Sequence, residues 1–95
     1  MLKLTTEPDD LLLEWVLRMP DEKADDILVD VVMHEMRKKL KKKRDEGRGG
    51  WFGPNCSNSV LRKMLKEHVE KGDPVDIINL AAMIMARTKL FGENA

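Results

Sequence analysis

Lys71-Gly72-Asp73-Pro74-Val75-Asp76-Ile77-Ile78-Asn79-Leu80-Ala81-Ala82-Met83-Ile84-Met85 carries a helix stop, a helix start and an apolar helix in one run. Gly72 supplies the positive φ that closes one helix, and Asp73 has the side-chain acceptor of an N-cap. Pro74 sits where a missing N–H costs nothing, and Asp76 puts negative charge beside the positive end of the helix dipole. From Val75 to Phe91 the helix is apolar almost all round, so it is expected to be central or at a subunit interface. Asp76 and Asn79 are the exceptions on it. They are either interhelical hydrogen-bond partners or polar groups converging on a ligand.

Working upstream, Ser57 or Asn58 caps a helix to about Lys71, with Val60, Leu61, Met64, Leu65 and Val69 as its apolar stripe and His68 at the stripe's edge. A helix from Asp21 to about Glu46 has no Gly or Pro inside it and carries a stripe of Ala24, Ile27, Leu28, Val31, Val32, Glu35, Met36 and Leu40. At about 1.5 Å per residue it reaches roughly 40 Å, too long for so small a globule to cover, and its Lys-rich end is expected to project. Thr6-Glu7-Pro8-Asp9 reads as the start of a short helix to about Met19, anchored by Trp15. The fold expected is all-α: one domain over 1–95, a small bundle of about four helices with one long basic helix. Its segments are 1–20, 21–46, a Gly/Trp loop over 47–56, 57–71 and 73–91.

A chain of 95 residues buries a thin core, and 42% hydrophobic residues exceed what a lone small bundle easily hides, so a homo-oligomer is expected. The single Cys56 forms no internal disulfide, no Cys/His spacing matches zinc, and no segment reads as a signal peptide or a membrane span. A cytoplasmic protein without cofactors is the expectation. Net charge is zero but polarised: residues 1–36 hold ten acids and three bases, residues 37–50 eight bases and two acids. An anionic partner would meet the centre of the chain, and the acidic third is placed to meet a neighbouring subunit's basic region. The same acidity repels a long polyanion, so nucleic acid is not the favoured partner.

Arg44-Asp45-Glu46-Gly47-Arg48-Gly49-Gly50-Trp51 is the other informative run. Arg44 and Arg48 offer guanidinium forks for phosphate, Gly49 and Gly50 let the backbone approach a ligand, and Trp51 offers a stacking face. Lys38-Lys39-Leu40-Lys41-Lys42-Lys43 reads mainly as a solvated helix end. His68, Lys71, Asp76 and Asn79 complete the candidate ligand-binding set. No catalytic triad and no metal-binding set is read from the residues.

The Gly47-Arg48-Gly49-Gly50-Trp51 turn and the His68-x-x-Lys71-Gly72-Asp73-x-x-Asp76-x-x-Asn79 helix start resemble small bacteriophage proteins and domains that share both motifs, over about residues 36–87. Some of these are linked to MazG-like nucleotide pyrophosphohydrolases, helical oligomers that hold magnesium through a Glu-Glu-x-x-Glu helix and a Glu-x-x-Asp helix. The resemblance implies a metal role for Asp73 and Asp76, but this chain has no Glu-Glu-x-x-Glu. In size, helicity and charge layout it also looks similar to small phage oligomers that sequester nucleotide signals of host immunity. The function expected is therefore a phage-type counter-defence sponge for a phosphate-bearing or cyclic nucleotide. The alternatives are a MazG-like dNTP pyrophosphohydrolase, and a protein–protein inhibitor or nucleic-acid-binding helical module.

Overall fold

The computed structural model describes residues 14–95 except Val16. Among the described residues the protein is all-helical, with α1 over Asp21–Asp45, α2 over Asn58–Lys71 and α3 over Pro74–Phe91. The expected N-terminal helix lies largely outside the described residues. No helix among them is long and apolar enough to cross a membrane. By compactness the chain divides into Met1–Val31 and Val32–Ala95, with the boundary inside α1.

In the first unit the sequence stripe does not translate into burial. Ala24, Ile27, Leu28 and Val31 are all exposed, and Trp15, expected as a core anchor, is 54% exposed. Helical periodicity reports a face that would bury if something covered it; it does not supply the cover.

The second unit is built on α2 and α3, which form the close-packed pair. Its helix ends follow the local chemistry read from the sequence. The Ser57 hydroxyl accepts from Val60 N at 3.2 Å, and Gly72 at φ 82° lets its N–H reach His68 O. The Asp73 carboxylate accepts from Val75 N at 3.0 Å, with Pro74 in the first turn. The core is thin: Leu61 and Leu80 are the only buried apolar side chains among the described residues, while Val60, Met64 and Val69 on α2 stay exposed. The remaining buried side chains, Asn58, Asp76, Asn79 and Arg87, are polar.

Within this unit α1 presents Val32, Glu35, Met36, Lys39, Leu40 and Lys43 as its half-buried face, one residue every three or four. It ends in a Schellman turn: Gly47, at φ 81°, donates to Arg44 O, and Arg48 N donates to Lys43 O at 2.8 Å. The backbone around Gly47 and Arg48 is thus helix-termination geometry.

Candidate functional site

The polar residues of α3 fall into two groups. At its N-terminal end the Asp76 carboxylate, 12% exposed, meets Lys43 Nζ at 3.5 Å, Lys39 Nζ at 3.6 Å and His68 Nδ1 at 3.7 Å. Lys39 makes its short bond elsewhere, donating to Asp73 Oδ2 at 2.8 Å. That bond raises the Lys39 pKa and, together with the donation from Val75 N, lowers that of Asp73. Asp76 is left with long contacts only. Its Oδ1 and the buried His68 Nδ1 have no hydrogen-bond partner. Lys39 and Lys43, which the sequence assigned to a solvated helix end, are therefore part of this cluster.

One turn along α3, Asn79 is 3% exposed, and neither its Nδ2 nor its Oδ1 is hydrogen-bonded. It lines a recess of about 140 Å³ whose other walls are Met36, Leu40, Trp51, Ala82, Met83 and Ala86. A second, charged groove of about 210 Å³ is lined by Glu35, Lys38, Lys39, Lys42, Asp73 and Val75. Both lie along the half-buried face of α1, which reaches α3 through long side chains.

Trp51 is placed by a residue that the sequence reading passed over. Arg87, 5% exposed, donates through one amino group to Trp51 O at 2.7 Å and Gly53 O at 3.2 Å, and through the other to Ala95 O at 3.1 Å. Its guanidinium lies 5.3 Å from the Phe91 ring centre. The loop turns at Gly50, φ 84°, where Gly53 N donates to Gly50 O. Trp51 sits half-buried with the exposed Phe52 edge-on at 5.7 Å. A lone arginine in an otherwise apolar helix was the signal for this anchor.

Of the expected ligand-binding residues, the structure brings Asp76 and His68 together, and Trp51 and Asn79 together. Arg44 and Lys71 are exposed at helix ends, and Arg48 pairs with Glu46 on the surface. Gly50 is needed for its positive φ, whereas Gly49 has ordinary φ and open space around it. The two carboxylates that the MazG resemblance would give to magnesium are surrounded by cations: Lys39 contacts Asp73 and Asp76, and Lys43 contacts Asp76. Among the described residues no three His, Cys, Asp or Glu side chains are grouped to hold a metal ion. The Cys56 thiol is free and half-buried.

No known protein family matches the chain, and no curated protein or solved structure is detectably similar to it. The phage resemblance rests on its two motifs alone.

Proposed function

We propose that the Val32–Ala95 unit binds a phosphate-bearing nucleotide and sequesters it without chemistry. The observation that carries this reading is Asn79, a buried carboxamide with both polar atoms unpaired, at an apolar recess walled by Trp51 and one helical turn from the lysine cluster. A buried polar group left without a partner costs about 1–3 kcal/mol, and a ligand that pairs it recovers that cost. The base stacks against Trp51. The phosphates compete for Lys43, whose contact to Asp76 at 3.5 Å is longer than a good charged hydrogen bond and is readily exchanged, beside Lys39, which Asp73 holds at 2.8 Å. The exposed Arg44, Arg48 and Lys71 add mobile cations at the rim. A signalling nucleotide withdrawn from host defence, cyclic or linear, is the ligand that the phage resemblance favours.

The pyrophosphohydrolase alternative needs carboxylates that converge on a divalent cation, and the lysines around Asp73 and Asp76 occupy that position electrostatically. Titration calorimetry with canonical dNTPs and cyclic dinucleotides, with and without chelator, separates the readings. The sponge binds in chelator and releases the nucleotide intact on denaturation. Metal-dependent release of pyrophosphate would overturn it.

We propose also that the protein works as a homo-oligomer, a dimer or a multiple of dimers, in which a four-helix bundle is completed. Two buried leucines make a thin core, while Met85 stays 62% exposed on α3 and Leu28 61% exposed on α1. Sedimentation is the test: a compact monomer at micromolar concentration would contradict it, and Met85→Asp is expected to shift the protein toward smaller species.

A further inference from the structure

We propose that α1 is the dimer helix: its exposed stripe packs antiparallel against the same stripe of a second copy of this chain. This rests on the homo-oligomer reading above and names its surface and its register. Ala24, Leu28, Val31, Glu35, Lys38 and Lys42 follow one another at alternating intervals of four and three residues along one continuous helix, the spacing of a seam between paired helices. Leu28 is 61% exposed, Val31 54%, and Ile27 beside them 38%. The first half of the seam is thus apolar and uncovered, and the second half is charged.

Charge decides the partner and the direction. Residues 21–30 hold five acids and one base, and residues 37–44 hold seven bases and no acid. A parallel pair would set acids on acids and bases on bases, which like-charge repulsion penalises, whereas an antiparallel pair sets each acidic end on a basic one. The same helix carries both complements, so the occupant is a second copy and every contact occurs twice about a two-fold axis. The end groups are available for it. Asp21, Glu22 and Arg37 form no ion pair with another described residue, and Lys38 reaches only Glu35, at 3.9 Å.

The register follows from the same pattern. Leu28 opposite the partner's Val31 brings the exposed aliphatic side chains of both copies together. It also sets Asp21 opposite the partner's Lys38 and Glu22 opposite the partner's Arg37. Moving the centre of the pair one turn toward the C-termini puts Leu28 against the partner's Glu35. Moving it one turn the other way takes Asp21 and Glu22 off the basic end, opposite the partner's His34 and Met33.

The test is sedimentation equilibrium of the full chain with charges reversed at either end of the seam. Arg37→Glu with Lys38→Glu, and separately Asp21→Lys with Glu22→Lys, each place like charges at both ends of the dimer and are expected to weaken self-association at least about tenfold. An equimolar mixture of the two variants restores opposite charges at both ends of the heterodimer and is expected to recover the parent affinity within about threefold. Reversals that associate like the parent, or a mixture no tighter than its components, overturn the antiparallel pairing and leave the oligomer reading standing. A parent that is a folded monomer overturns both. If a reversal variant does not fold, disulfide trapping in a Cys56→Ser background carries the test. Asp21→Cys chains mixed with Lys38→Cys chains under oxidation are expected to give the mixed covalent dimer in excess of its statistical half. Covalent dimers mainly of like chains, or none at all, overturn the pairing.

Discussion

The two ends of α3 solve the same problem in different ways. Each sets a charged side chain into a mostly apolar helix, Asp76 near the start and Arg87 near the end. Arg87 is matched by three carbonyl oxygens at 2.7–3.2 Å and by an aromatic face, and only its Nε lacks a partner. Asp76 is surrounded by three cationic or potentially cationic groups, all at 3.5 Å or beyond, and it leaves its own Oδ1, His68 Nδ1 and both Asn79 amide atoms unpaired. The first arrangement is closed. The second contains unpaired buried groups and exchangeable contacts, and for that reason the binding proposal is placed beside it.

The sharpest way to break this contrast is Arg87→Leu. It leaves Trp51 O without its donor and removes one of two donors from Gly53 O and Ala95 O, which keep Cys56 N and Asn58 N, and a loss of about 2–4 kcal/mol in unfolding free energy is expected, with a red-shifted Trp51 emission in a Trp15→Phe background. A loss below about 0.5 kcal/mol by denaturant titration would show that the arginine does not organise the loop.

Asp76→Asn is expected to cost less, about 1–2 kcal/mol, because Lys39 and Lys43 are each about a quarter exposed and turn to water when the carboxylate is neutralised. The same change is expected to tighten phosphate-bearing ligands by about fivefold, since it removes a negative charge and frees Lys43, while Lys39 stays paired with Asp73. Weaker ligand binding by calorimetry would mean that Asp76 itself contacts the ligand.

The Lys39–Asp73 pair sets a pH dependence whose sign differs at the two extremes. The Asp73 pKa is lowered, so its contribution is present above the unfolded value of about 3.9 and is lost as pH falls through the folded one. The Lys39 pKa is raised, so its contribution is complete below about 10.4 and is lost as pH rises through its folded value. Denaturation midpoints across pH should therefore be flatter at both extremes in Lys39→Met than in the parent.

The smallest effects are at the glycines of the loop. Gly50→Ala must adopt φ near 84° and is expected to cost about 1 kcal/mol, whereas Gly49→Ala, with ordinary φ and open space, should be neutral in thermal unfolding.

These contrasts also mark what was legible in the sequence. The Ser57 and Asp73 caps, Pro74 and Gly72 were read from neighbours within a few residues, because capping is local chemistry. The stripe of Ala24, Ile27, Leu28 and Val31 was legible as a face, but its exposure was not, because burial depends on what else is present. Lys39 and Lys43 were indistinguishable from Lys41 and Lys42 in a lysine run. Only the register of α1 against α3 separates those that reach Asp73 and Asp76 from Lys41, which pairs with Asp45 on its own helix. Asn79 stood out in sequence as a polar break, but its unpaired state is a three-dimensional fact.

The most direct test of the account is Trp51 fluorescence in a Trp15→Phe chain during titration with adenosine 5′-monophosphate. A base entering the recess stacks on the indole, so the account predicts a saturable quench with one ligand per chain. An emission spectrum unchanged to millimolar nucleotide, in protein shown by circular dichroism to be folded, would contradict it.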